Sequence, residues 1–181
     1  AAHGRGLTGN AEGEESMTLD TVRERMAECL RKAGVEAVCA WPGGARRRVQ
    51  GPVAAVSLRS CQGGPGGFRD YLGERYNQER GCWEELYGRK VRLVFGLDLY
   101  APGPDGAPAL RTAFDVVAGA LQREGPEGLK LLELSCGEVE DDPGTDLLRC
   151  PAEAVCEGWL YAVADEAGAF LDFIVRGDGK V

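Results

Sequence analysis

Apolar residues between Thr18 and Gly34 recur at helical spacing, with Val22, Met26, Cys29, Leu30 and Ala33 on one stripe. This spacing predicts an amphipathic helix. Thr18 stands at its cap position and Asp20 in its first turn, while Arg31 and Lys32 in the last turn complement the negative end of the helix dipole. After Gly34 the period shortens to two. VEAVCAW (35–41) and VAAVSLRS (53–60) read as strands, separated by a Pro42-Gly43-Gly44 turn. VRLVFGLDLY (91–100) carries the cleanest alternation, with Val91, Leu93, Phe95, Leu97 and Leu99 on one side and Arg92, Gly96 and Asp98 on the other.

The intervening stretch, 68–88, mixes Tyr71, Arg75 and Gln78 at helical spacing with Tyr-Leu-Gly and Gly81, and reads as mostly extended. APGPDGAP (101–108) is a loop leading into a second helix, whose apolar stripe is Leu110, Phe114, Val117 and Leu121 and whose stop signal is Gly125-Pro126. Strands follow at 129–137, 152–163 and 169–176, the last two joined by a hairpin turn at Asp165-Glu166-Ala167-Gly168. Strands joined by short turns pair antiparallel. The order predicts an α+β fold, a mainly antiparallel sheet with two helices packed on one face. Residues 1–16 are Gly-rich, acidic and without periodicity; they read as a disordered extension, a tag or upstream residues ahead of Met17, leaving 17–181 as a single α+β domain.

Charge narrows the range of partners. The chain holds 21 basic and 29 acidic residues, net -8, and 17 of the basic residues are arginine. An acidic chain does not suit broad or sequence-specific nucleic-acid binding, which draws on a basic excess. The Arg preference suits protein interfaces, and equally a GC-rich genome. Arg46, Arg47 and Arg48 form the one dense basic cluster and are the candidate partner-contact residues, for an acidic protein surface or a phosphate backbone, against a plain solvated loop. No run approaches a membrane span and no leader-like apolar segment opens the chain, so no membrane partner is expected. The seven cysteines show no CxxC pair; most lie in apolar runs and read as reduced core thiols of a cytosolic protein.

The search for chemistry excludes more than it finds. The single histidine, His3, falls in the N-terminal extension, which removes Ser-His and Cys-His nucleophile pairs and His-ligated metal centres. Ser135, in ELSCG, lacks the first glycine of a nucleophile elbow. GGPGG (63–67) lacks the GK[ST] of a phosphate loop. The acidic run of Glu138, Glu140, Asp141, Asp142 and Asp146 could offer oxygen ligands to Ca²⁺, but Asp142-Pro143-Gly144-Thr145 has the residue placement of a type II turn. Adjacent carboxylates such as Glu84 with Glu85, or Asp165 with Glu166, point to opposite faces of a strand and do not converge on one substrate. No catalytic residue, cofactor or metal is expected.

The succession GPVAAVSLRSC, YLGERY, ELYGRKVRLVFGLDLYAP, AFDVVAGAL, GLKLLELSCGE, RCPAEAVCEGWLYAV and FLDFIVRG, from Val53 to Gly177, resembles small virion proteins of prophage tail modules, in size and element order the tail terminator or tail completion class. The resemblance covers about two thirds of the chain. It implies a non-enzymatic protein that self-associates into a ring, commonly hexameric, caps the tail tube and joins it to the head-tail connector. It also implies residence in the virion, and in the host bacterial cytoplasm during assembly. A connector or baseplate role, and more remotely a small α+β enzyme using carboxylates, are the alternatives.

Overall fold

The alternation seen at 91–100 belongs to a much longer strand, around which the rest of the sheet is arranged. The computed structural model describes residues 19–40, 49–63, 71–126, 128–165 and 170–176. In chain order its elements are α1 (Leu19–Lys32), β1 (Glu36–Val38), β2 (Val53–Gly63), β3 (Tyr71–Asn77), β4 (Cys82–Pro102), α2 (Gly106–Arg123), β5 (Lys130–Cys136), β6 (Glu140–Asp141), β7 (Leu147–Cys150), β8 (Ala152–Asp165) and β9 (Phe170–Arg176).

β4 is 21 residues long and forms the spine. Along one side β2 and β3 lie end to end, pairing with its C-terminal and N-terminal halves. Along the other side lie β8 and then β7. Outside β8, β5 and β9 again divide its length. All these pairings are antiparallel, including that of β8 with β9, as a hairpin requires; the connecting residues 166–169 lie outside the described ones. β1 departs from the expectation that successive strands run antiparallel: it pairs parallel with β2, Ala37 opposite Ala54, and is only three residues long rather than the seven read from 35–41. Residues 39–52 lie between these strands, long enough to return the chain for parallel pairing, whereas a tight turn permits only antiparallel pairing.

Both helices pack on one face of the sheet. α1 buries Val22, Met26, Ala27 and Leu30, and Gly34, at φ +95°, supplies the left-handed residue after its end. α2 buries Leu110, Ala113, Val117, Ala120 and Leu121. It begins at Gly106, inside the predicted loop, because Pro108 in the first helical turn gives up an N–H that has no intrahelical partner there. Opposite the helices stand Val91, Leu93, Phe95, Leu97, Leu99 and Ala101 of β4 with Ala152, Ala154 and Cys156 of β8, all buried in one cluster. Each large side chain so buried contributes roughly 1.5–3 kcal/mol, and this helix-covered half is the main core.

β4 then changes the face it buries. From Val91 to Ala101 the buried residues are odd-numbered, apart from Gly96, over which Arg59 crosses, but from Glu84 to Gly88 they are even-numbered. No bulge causes this, since β4 and β8 stay in one register from Glu84 opposite Asp165 to Gly96 opposite Glu153. Residue parity therefore marks a true change of face. The strands β3, the first half of β4, the second half of β8 and β9 form an arm with its own small cluster, Leu72, Leu86, Trp159 and Val163, on the face away from the helices.

The two strands not anticipated, β6 and β7, form a hairpin around the predicted turn: the Thr145 N–H donates to the Asp142 carbonyl at 3.2 Å, with Gly144 at φ +77° as a type II turn needs. The cysteines are less buried than expected. Cys150 and Cys156 are buried, Cys29, Cys39 and Cys82 half-buried, and Cys61 and Cys136 exposed; all seven are free thiols. The exposed pair lie near the ends of β2 and β5 on the same face as Leu93 and Ala152, their cross-strand partners, so an apolar run in the sequence does not by itself imply cover.

Candidate functional site

Residues on the helix-opposite face of the main sheet neutralise one another. Asp98 of β4 accepts from Arg59 of β2 at 3.2 Å, from Arg149 of β7 at 2.9 Å and from the Ala152 N–H at 3.2 Å. Arg59 continues to Glu153 of β8 at 2.9 Å and Arg149 to Glu140 of β6 at 3.1 Å. Gly96 makes this crossing possible: a β-carbon there would stand 2.6 Å from Arg59 Nε and 2.6 Å from Ser57 Oγ, so the absent side chain is the space through which Arg59 reaches across β4. Alongside, Lys90 meets Glu157 at 2.8 Å. The hydrogen bond that Arg149 donates to Asp98 and the burial of Arg149 act on its pKa in opposite directions, and the bond prevails, holding it above the ordinary value. With each carboxylate matched to a guanidinium or ammonium, this surface ties strands together and offers little unsatisfied charge.

The two faces of the arm differ. On the face away from the helices Glu84 is 1% exposed, the one buried charged residue among the described residues. Arg75 Nε donates to it at 2.9 Å and Asn77 Nδ2 at 2.8 Å, with Arg80 3.9 Å away. A carboxylate taken out of water needs such partners. Asn77 also caps the β3–β4 turn by accepting the Glu79 and Arg80 N–H groups, and Gly81 at φ +64° closes it.

The other face holds three cross-strand pairs between β3 and β4: Tyr76 opposite Trp83, Glu74 opposite Glu85, and Tyr71 opposite Tyr87. The two aromatic pairs meet edge to face with centroids 5.5 and 5.6 Å apart, a geometry that stabilises beyond area alone. Tyr71 and Tyr76 are each 52% exposed and Trp83 48%. Between them the two carboxylates stand side by side. Tyr87 Oη donates to Glu85 at 2.7 Å, and that bond first, with lesser burial and charge effects, raises the Tyr87 pKa. Tyr71 is raised as well, by local desolvation and then by its bond to Glu74. Among the described residues neither Glu74 nor Glu85 is ion-paired.

Other candidates do not converge. Arg46, Arg47 and Arg48, and His3, lie outside the described residues, as do residues 1–18. Glu84 and Glu85 point to opposite faces, as adjacent strand residues must. Ser135 is an exposed position of β5. In the acidic run Glu140 is held by Arg149 and Asp142 by Thr145, and among the described residues no three His, Cys, Asp or Glu side chains are placed to hold a metal. Burial pushes the Cys156 thiol up to about 12, and burial together with Glu24 at 3.1 Å pushes Cys39 up to about 11, so both stay protonated and weakly nucleophilic at neutral pH. No described helix is long and apolar enough to cross a membrane. No protein-family model matches the chain, and no curated protein matches it.

The aromatic face of the arm is the surface that sequence reasoning missed. Its signal was present as Trp83, Glu85 and Tyr87 at alternate positions, but an extended reading of 68–88 carries no register, and the irregularity between Tyr71 and Gly73 hides that they share a face with Tyr71, Glu74 and Tyr76.

Proposed function

We propose that the protein is a structural component of a phage or prophage virion, of the tail terminator type, which assembles into a ring on the end of the tail tube and joins it to the head through protein contacts. The observation that carries this reading is the arm: four strands that leave the helix-covered core and present Tyr71, Tyr76 and Trp83 to solvent on one rigid face. Exposed aromatic side chains grouped on one surface mark interaction sites, and Tyr and Trp are enriched where proteins meet. A protein that joins tube to head needs a stiff element reaching the proteins it joins, and a sheet continuous with the core spine supplies it. The kind of assembly proposed follows the resemblance across Val53–Gly177.

Sedimentation at rising concentration, with electron microscopy of the protein added to tail tubes, tests the proposal. Ring-shaped particles, or caps on tube ends, are the expected result. A protein that stays monomeric at high concentration and leaves tube ends bare contradicts it.

A further inference from the structure

The aromatic face of the arm carries a pair of opposed carboxylates that no described cation neutralises. Glu74 and Glu85 are directly opposed across the β3–β4 pair, where like charges repel. Glu84, one residue away on the other face, has Arg75, Asn77 and Arg80 around it, whereas among the described residues the opposed pair has the hydroxyls of Tyr71 and Tyr87 and no cation. The carboxylates are flanked on one side by the Tyr76–Trp83 pair and on the other by Tyr71–Tyr87.

We propose that this face is a docking surface for an arginine-bearing segment of a partner protein, whose guanidinium is held by Glu74 and Glu85 and stacks against the flanking aromatic rings. A guanidinium presents paired N–H donors to carboxylates while its flat face lies on an aromatic ring, a combination an ammonium does not match. The chain's own net charge of -8 favours a basic partner over a second copy of itself. The inference rests on the assembly reading only in taking the arm as a contact element, and it specifies what that element recognises.

The test titrates the full chain with a capped pentapeptide alternating glycine and arginine, followed by calorimetry, with lysine and glutamate analogues as comparison. Binding is expected to weaken as salt rises, and the arginine peptide to bind more tightly than the lysine one. The double substitution Glu74→Gln with Glu85→Gln is expected to weaken binding about tenfold or more, and Trp83→Ala to weaken it about threefold or more. Both sites are on an exposed face, and circular dichroism verifies the fold of each variant. Equal binding of the glutamate peptide, no binding of the arginine peptide, or unchanged affinity in a folded double variant overturns the proposal. Self-association lost in the same double variant, without peptide binding, overturns it in favour of a second copy as occupant. Peptide binding that is lost in the double variant, in a protein that forms no ring, upholds this inference while removing the ring.

Discussion

Glu84 and Glu85 are adjacent in the chain and opposite in circumstance. Glu84 is buried against Arg75 and Asn77 on the arm's face away from the helices; Glu85 stands on the other face opposite Glu74, between aromatic pairs. The first carboxylate is satisfied by the fold and serves the fold. The second is left with a like charge for a neighbour, a state an isolated domain has no structural reason to keep. The difference separates residues that hold the arm together from residues that the arm presents.

Substituting the two positions should widen this contrast. Glu84→Ala removes the buried acceptor of Arg75 Nε and Asn77 Nδ2 and is expected to cost about 3 kcal/mol of stability, the low end for breaking a buried pair because Arg75 is partly hydrated. Urea denaturation measures it, and Glu85→Ala in the same assay should stay within about 0.5 kcal/mol of the parent. A loss from Glu85→Ala equal to that from Glu84→Ala would erase the distinction between the faces. Next in size, Gly96→Ala should cost about 1 kcal/mol, because the new β-carbon displaces Arg59 from its path to Glu153; the Glu153→Gln background should shrink that loss, and a full loss there would show that Arg59 is not the cause. Glu74→Gln combined with Glu85→Gln should leave stability unchanged or raise it by about 0.3 kcal/mol as cross-strand repulsion is removed. A drop beyond about 1 kcal/mol would assign the pair a structural role instead.

The smallest effect is spectroscopic. Because the bond to Glu85 raises the folded-state pKa of Tyr87, the bond's contribution is complete below the ordinary tyrosine pKa and is lost as pH rises through the raised value. In an absorbance titration Glu85→Gln should move one tyrosine back down toward its ordinary range. An unchanged profile would mean that the bond is not formed in solution.

The helix-covered half was legible because its physics is local. The stripe of Val22, Met26 and Leu30 and the alternation of Val91 through Leu99 each name the face they bury, and both faces are buried as read. The extended reading of 68–88 also agrees with β3 and the start of β4. What the pattern did not reveal is the change of buried face between Gly88 and Val91. A strand's parity is readable only relative to what covers it, and the cover changes from helices to the arm's own cluster of Leu72, Leu86, Trp159 and Val163. The buried Glu84 further disguised the arm, since a charged residue in a core position inverts the expected alternation. The short strands β6 and β7 escaped because two and four residues give too few repeats to register a period. Tyr76 and Trp83 meet only through the register of two strands, a long-range fact that their separation in sequence does not encode.

Contact with a partner protein falls on the face of the arm that carries Tyr71, Tyr76 and Trp83, and one comparison tests that directly. Sedimentation velocity of the parent and of Tyr76→Ser with Trp83→Ser, each alone and with tail tubes, reads assembly while thermal unfolding reads the fold. The parent is expected to bind tail tubes and the double variant not to, while their melting temperatures differ by no more than a few degrees, about what losing one exposed aromatic pair implies. A folded double variant that binds tail tubes as the parent does would contradict this.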